Sequence, residues 1–166
     1  MSAEKFSNKC VNRVKKESVK MKGDYMIYRL VKSTGEEETL FYLPEKDCDN
    51  PLRRKAYRLL DLASHKQAGY EVFGILYVDK ETYLNARLDY RVKEYCQLDR
   101  DEQDTKRRRL EMNPEVYLQT LETIQDLKWT VLKQISMNMR RLIREDFTVY
   151  NEIGIQLYDQ YLQAIL

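Results

Sequence analysis

NPEVYLQTLETIQDLKWTVLKQISMNMRRL, Asn113–Leu142, decides the fold. It opens with a capping asparagine, a proline at the first helical position and a first-turn acid, the order that leaves the fewest backbone donors unsatisfied at a helix start. Tyr117, Leu121, Ile124, Val131, Ile135, Met139 and Leu142 then recur three, four or seven residues apart. That spacing places them on one side of a helix of about four turns or more and makes them a packing seam.

Moving back from this stretch, Asp79 can cap a helix whose stripe is Leu84, Leu88, Val92 and Tyr95 or Cys96. The pattern dissolves into DRDEQDTKRRR, residues 99–109, which reads as exposed helix or a mobile tip. Moving forward, Phe147–Leu166 repeats a helical spacing through Tyr150, Ile153, Leu157, Tyr161 and Ile165, with Asp146 or Thr148 placed to cap a new helix. Residues 79–166 are therefore expected to form a helical hairpin or bundle.

The preceding segment carries a different period. DYMIYRLVK (residues 24–32) and TLFYL (39–43) are rich in aromatic and β-branched residues, and Ser33-Thr34-Gly35-Glu36 between them suits a hairpin loop. Asn50-Pro51 starts a helix expected to reach Lys66, with Leu52, Ala56, Leu59, Leu60 and Ala63 as its buried stripe and Gly69 as its stop. YEVFGILYV (70–78) is apolar on both sides and reads as a central or covered strand, with Gly74 marking a bend or a close backbone approach. Residues 1–22 read as a basic amphipathic helix or an arm that orders on binding. Phe6, Cys10, Val11, Val14 and Met21 form its apolar side.

The order helix, hairpin, helix, strand, helices gives a predominantly helical α+β fold. A small, about three-stranded sheet packs on helices in residues 23–78. The C-terminal helices follow, as one compact domain with that sheet. So small a sheet covers only part of the apolar faces of the helices, so some helical seam is left to pack on another helix or another chain.

Composition narrows the chemistry. With 5 Gly and 3 Pro in 166 residues, glycine-rich phosphate loops and long flexible linkers have no place. His65 is the sole histidine, which removes most Ser-His, Cys-His and histidine-zinc arrangements. Cys10, Cys48 and Cys96 are too far apart in sequence for a metal knuckle or a redox pair. No apolar run is long enough to span a bilayer and the first twenty residues lack an apolar centre, so a cytoplasmic protein with reduced thiols is expected. No cofactor, metal or membrane partner is expected.

Charge is segregated. Residues 1–22 hold seven basic against two acidic residues, and residues 36–49 hold six acidic against one basic. Further basic clusters are Arg53-Arg54-Lys55 with Arg58, Lys106-Arg107-Arg108-Arg109, and Arg140-Arg141 with Arg144. In composition, a glycine-poor, tyrosine-rich chain without motifs is similar to small phage or mobile-element proteins.

Three functional readings follow. The first is a non-enzymatic interaction or assembly protein, forming a homo-oligomer or docking into a larger complex through Tyr117, Leu121, Ile124, Val131, Ile135, Met139 and Leu142. The second is a nucleic-acid-binding regulator that uses Lys9, Arg13, Lys15, Lys16, Arg53, Arg54, Lys106, Arg107, Arg108 and Arg109. Tyr25, Tyr28, Tyr42, Tyr70 and Tyr77 would be its stacking platforms. The third is a metal-dependent nuclease built on Asp24, Glu45 and Asp79, although no Glu-x-Lys triplet lies on a strand beside them. His65, in the last turn of its helix, reads as a favourable helix-end charge and not as a catalytic base.

Overall fold

The computed structural model describes residues 23–166. The fold is predominantly helical α+β: strands β1 (Tyr25–Lys32), β2 (Glu37–Tyr42) and β3 (Tyr70–Val78), and helices α1 (Pro51–Gln67), α2 (Lys80–Arg107), α3 (Pro114–Arg144) and α4 (Glu152–Ile165). The chain divides into two compact units, the first ending at Tyr83 and the second running from Leu84 to Leu166. The expected amphipathic segment 1–22 lies outside the described residues.

The first unit is an antiparallel sheet in the order β2-β1-β3. β1 and β2 form the expected hairpin. Gly35 takes φ +92 and its N–H reaches the Lys32 carbonyl at 2.9 Å, a tight turn closed by a left-handed residue. β1 is the central strand. β3, expected to be central or covered, is the second of these: it is an edge strand, and the large residues on its second side belong to a face covered by α1. Pairing steps from Arg29–Gly74 to Leu30–Val72, leaving Phe73 as the extra residue of a bulge beside Gly74.

One sheet face carries Tyr25, Ile27 and Phe41. Tyr83, in the first turn of α2, closes it with ring centroids 5.0 Å from Tyr25 and 5.9 Å from Phe41. The Thr82 N–H donates to Asp79 Oδ1 at 2.8 Å, which fixes the start of that helix as its sequence suggests. The other face carries Met26, Tyr28 and Leu30 of β1 with Tyr42, Tyr70 and Tyr77 opposite or beside them in register, and α1 lies over it.

α1 lies there the other way round from expectation. Asn50 caps it by accepting from the Arg53 N–H at 3.1 Å. The expected buried stripe is exposed, however, with Leu52 at 81%, Leu59 at 55% and Leu60 at 68% of full exposure, and Ala56 and Ala63 open as well. Arg58, Asp61 and His65 face the sheet. The Arg58 guanidinium donates to Met26 Sδ at 3.4 Å, the Tyr42 hydroxyl donates to Asp61 at 2.7 Å, and the His65 ring sits 5.7 Å from Tyr70. The physical reason is the chemistry of that sheet face: tyrosine hydroxyls need polar partners when covered, and leucines offer none.

In the second unit α2, α3 and α4 pack together. Leu84, Leu88, Val92 and Tyr95 of α2 are buried with Val131, Leu132, Ile135, Met139 and Leu142 of α3 and Leu157 of α4. The charged run 99–109 is helical as far as Arg107. α3 ends in a Schellman motif, with Asp146 at φ +57, the Phe147 N–H on the Leu142 carbonyl at 2.9 Å and the Asp146 N–H on the Ile143 carbonyl at 3.0 Å. The next helix is capped by Asn151, which accepts from the Gly154 N–H at 2.9 Å, and not by Asp146 or Thr148. Asp146 already serves the end of α3, and the Thr148 carbonyl is held by Asn85 Nδ2 at 2.9 Å. Asn85 also accepts from the Tyr150 N–H at 3.2 Å, so one buried side chain on α2 clamps the α3–α4 turn. The stripe expected on the last helix shifts accordingly. Gly154 and Leu157 are buried, whereas Tyr150, Ile153 and Ile165 are exposed.

Candidate interaction surfaces

The seam of α3 has two halves. Val131, Ile135, Met139 and Leu142 are core, Ile135 and Leu142 at 0% exposure, and none of the four is open to a partner. Tyr117, Leu121 and Ile124 continue the same stripe toward the N-terminal end of α3 and are only half-buried. The change falls at the level of the last described turns of α4. Its Tyr161 ring lies 5.5 Å from Trp129, and its last turns meet Tyr95, Glu102, Gln125 and Lys128 around a crease of about 200 Å³. Beyond that level, among the described residues, Tyr117, Leu121 and Ile124 keep part of their surface open.

The hairpin's outer end adds more apolar surface. Leu110 is 98% exposed, Val116 and Leu118 are exposed, and Arg109, Leu110, Met112, Pro114, Tyr117 and Leu118 line a shallow depression. The Arg109 guanidinium lies 5.9 Å from the Tyr117 ring centroid, a cation–π contact at the depression's rim.

Lys128 fixes the hairpin between core and outer end. Its ammonium donates to Asp99 at 2.8 Å and Glu102 at 3.3 Å and lies 5.1 Å from the centre of the Tyr95 ring. Burial by itself would lower the Lys128 pKa; the hydrogen bond to Asp99, with the contributions of Tyr95 and Glu102, outweighs it and raises the group above its ordinary value. Neither Lys128 nor its two acids stood out in the sequence, where the run 99–104 looks merely solvated. Gly154 was equally silent. A Cβ there would come within 3.1–3.2 Å of the Leu88 side chain, so glycine is what lets α4 approach α2.

The residues of the nucleic-acid reading are divided between the two units and the segment outside the described residues. Lys9, Arg13, Lys15 and Lys16 lie outside them. Arg53 and Arg54 are exposed on α1 in the first unit, while Lys106, Arg107, Arg108 and Arg109 are exposed at the end of the α2 hairpin in the second. The strand tyrosines do not form an open platform. Tyr25 is buried and donates to Asp47, and Tyr28, Tyr42 and Tyr70 are engaged with one another or with α1. Burial raises the pKa of Tyr28 and of Tyr42, and in Tyr42 the hydrogen bond to Asp61 pushes further in the same direction.

The residues of the nuclease reading have structural partners. Asp24 pairs with Lys46 at 3.0 Å, Asp79 caps α2, and Glu45 sits in a short 3-10 turn. Among the described residues no group of three His, Cys, Asp or Glu side chains is placed to hold a metal ion. His65 Nδ1 lies 2.8 Å from the Asp61 carbonyl, a local bond within its own helix. No described helix is long and apolar enough to cross a membrane.

Comparison with known proteins gives no relative: no family model matches the chain, and neither does any curated protein or solved structure.

Proposed function

We propose that this is a non-enzymatic assembly protein that self-associates through the outer half of the α2–α3 hairpin. The observation that carries the reading is the continuation of the α3 stripe beyond its buried inner half, at Tyr117, Leu121 and Ile124, which stay only half-buried. Apolar side chains in a regular helical row, with Leu110, Val116 and Leu118 exposed nearby, are an interaction surface more readily than a solvated face. Charge supports a second copy as the occupant. Asp101 and Asp104 are exposed within about two turns of Lys106–Arg109, so two antiparallel hairpins offer each other both signs.

The test is native mass by light scattering, over a range of concentration and at high salt, for the wild type and for Ile124→Asp. A defined oligomer that becomes a folded monomer in Ile124→Asp supports the reading. A wild type that stays monomeric, or an oligomer indifferent to Ile124→Asp, overturns it.

The second reading retains one specific observation, the four consecutive exposed basic residues Lys106–Arg109 at the hairpin end. If that patch binds nucleic acid, affinity falls steeply with salt and is lost when Arg107, Arg108 and Arg109 become Gln. Affinity unchanged by those substitutions removes this reading.

A further inference from the structure

We infer that the outer face of α1 is a docking site for an acidic amphipathic helix of another protein. The face lies in the first unit and is independent of the hairpin surface proposed above, so it adds a second partner to that reading. On a helix of 3.6 residues per turn, Leu52, Ala56, Leu59, Leu60 and Ala63 share a sector of roughly 100°. Arg58, Asp61 and His65, which hold α1 to the sheet, lie on the opposite side.

The spacing identifies the kind of partner. Leu52, Ala56, Leu59 and Ala63 follow one another at intervals of four, three and four, the spacing of a two-helix seam. Large and small residues alternate along it, so each alanine leaves a hollow that a partner's larger side chain fills. A membrane surface would gain little from the two alanines, since the favourable term there scales with apolar area and only three leucines supply it.

Charge identifies the partner's sign. Arg53 and Lys55 flank the seam on either side in its N-terminal half, and Lys66 lies beside its C-terminal end. The helix has one acid, Asp61, and it is turned toward the sheet and hydrogen-bonded by Tyr42. A second copy of α1 would therefore bring like charges together in either orientation, whereas a helix with Glu or Asp beside its own apolar row pairs with them.

The experiment uses the full chain and a fluorescent designed peptide of about three heptads with leucine at the seam positions and Glu beside them. A twin peptide with Lys in place of Glu, vesicles containing phosphatidylglycerol, and the chain alone in sedimentation complete the set. The expected result is binding of the Glu peptide at least about tenfold tighter than the Lys peptide. That binding weakens by about tenfold or more in Leu59→Asp. The preference inverts in the Arg53→Glu/Lys55→Glu double variant. Leu59 is exposed, so Leu59→Asp is expected to keep the wild-type circular dichroism, and the charge-reversed pair gives an independent readout. Equal binding of both peptides, no peptide binding, vesicle binding without peptide binding, or self-association lost in Leu59→Asp each overturns the proposal. Ile124→Asp leaves peptide binding unchanged, which separates failure here from failure of the hairpin interface.

Discussion

Helix α1 and the α2–α3 pair carry apolar stripes of similar spacing and turn them in opposite directions, outward in α1 and inward in the pair. In the second unit the buried polar Asn85 finds its partners in the α3–α4 turn, so the stripes of α2 and α3 meet each other and Leu157 in a common core. In the first unit the surface offered to α1 is a sheet face rich in tyrosine. A covered hydroxyl without a partner costs about 1–3 kcal/mol, so the polar side of α1 is drawn onto the sheet and the leucines are left outside. A helical stripe therefore specifies a face, and the chemistry of the neighbour decides whether that face is turned in or out.

One substitution in each stripe should separate the two units most widely. Ile135→Asp puts a carboxylate where nothing is exposed to solvent and is expected to destabilise the second unit by about 4 kcal/mol or more, enough to unfold it. Leu59→Asp is expected to stay within about 0.5 kcal/mol of wild type. Urea unfolding followed by far-ultraviolet circular dichroism reads both. If Leu59→Asp costs as much as Ile135→Asp, the stripe of α1 is buried in solution and the contrast fails.

Within the second unit, the contact between Gly154 and Leu88 tests how tightly its core is built. Gly154→Val is expected to cost about 1–3 kcal/mol through overpacking. Gly154→Ala should cost less, because alanine recovers about 1 kcal/mol of helix propensity. Introducing Leu88→Ala beside Gly154→Val should return part of the loss, which a double-mutant cycle measures directly. A cycle with no coupling would show that α4 is not seated on Leu88.

Much of this architecture was legible in the sequence because the signals were local. Asn113-Pro114-Glu115, Asn50-Pro51 and Asp79 each announce a helix start through a side chain that bonds its own backbone, and the glycine that closes the hairpin is equally local. The stripe of α3 could be read because its period is strong, and that of α2 only over its first half, from Leu84 to Tyr95, where its neighbours are alike. What was not legible depends on residues distant in sequence. The inversion of α1 depends on Tyr42 and Tyr70, which lie on other elements. The Lys128 cluster joins residues 26 to 29 positions apart. The half-exposure of Tyr117, Leu121 and Ile124 depends on which elements pack beside α3, which periodicity on α3 cannot contain.

Alkaline pH distinguishes the two units more gently. The pKa values of Tyr28 and Tyr42 are raised in the folded chain, so the folded state favours their neutral form. The stability this contributes is fully present below the ordinary tyrosine value of about 10 and is lost as pH rises above it. Lys128 is also raised, and the contribution of its charged form is likewise present below the ordinary lysine value and lost above it. Tyr42→Phe is expected to cost about 0.5–1.5 kcal/mol at neutral pH through the lost bond to Asp61 and to flatten the decline above a pH of about 10 in the first unit. Lys128→Met should flatten it in the second. A Tyr42→Phe profile parallel to wild type would mean that the hydroxyl is not held beneath α1.

The smallest effect concerns the turn that positions α4. Asp146 occupies the left-handed region that an L-residue enters at a cost of roughly 1–2 kcal/mol, a cost that Asp reduces through local polar contacts and glycine does not incur. A glycine at that position would have more conformational freedom to lose on folding, an opposing term of about 0.4–1 kcal/mol. Asp146→Gly is therefore expected to stabilise the second unit by less than about 1 kcal/mol, whereas Asp146→Val, whose branched Cβ cannot relax there, should destabilise it. The sign matters more than the size. If both substitutions shift the urea midpoint in the same direction, α3 does not end in a left-handed residue. The Asn85 clamp and the start of α4 would then be set by some other geometry.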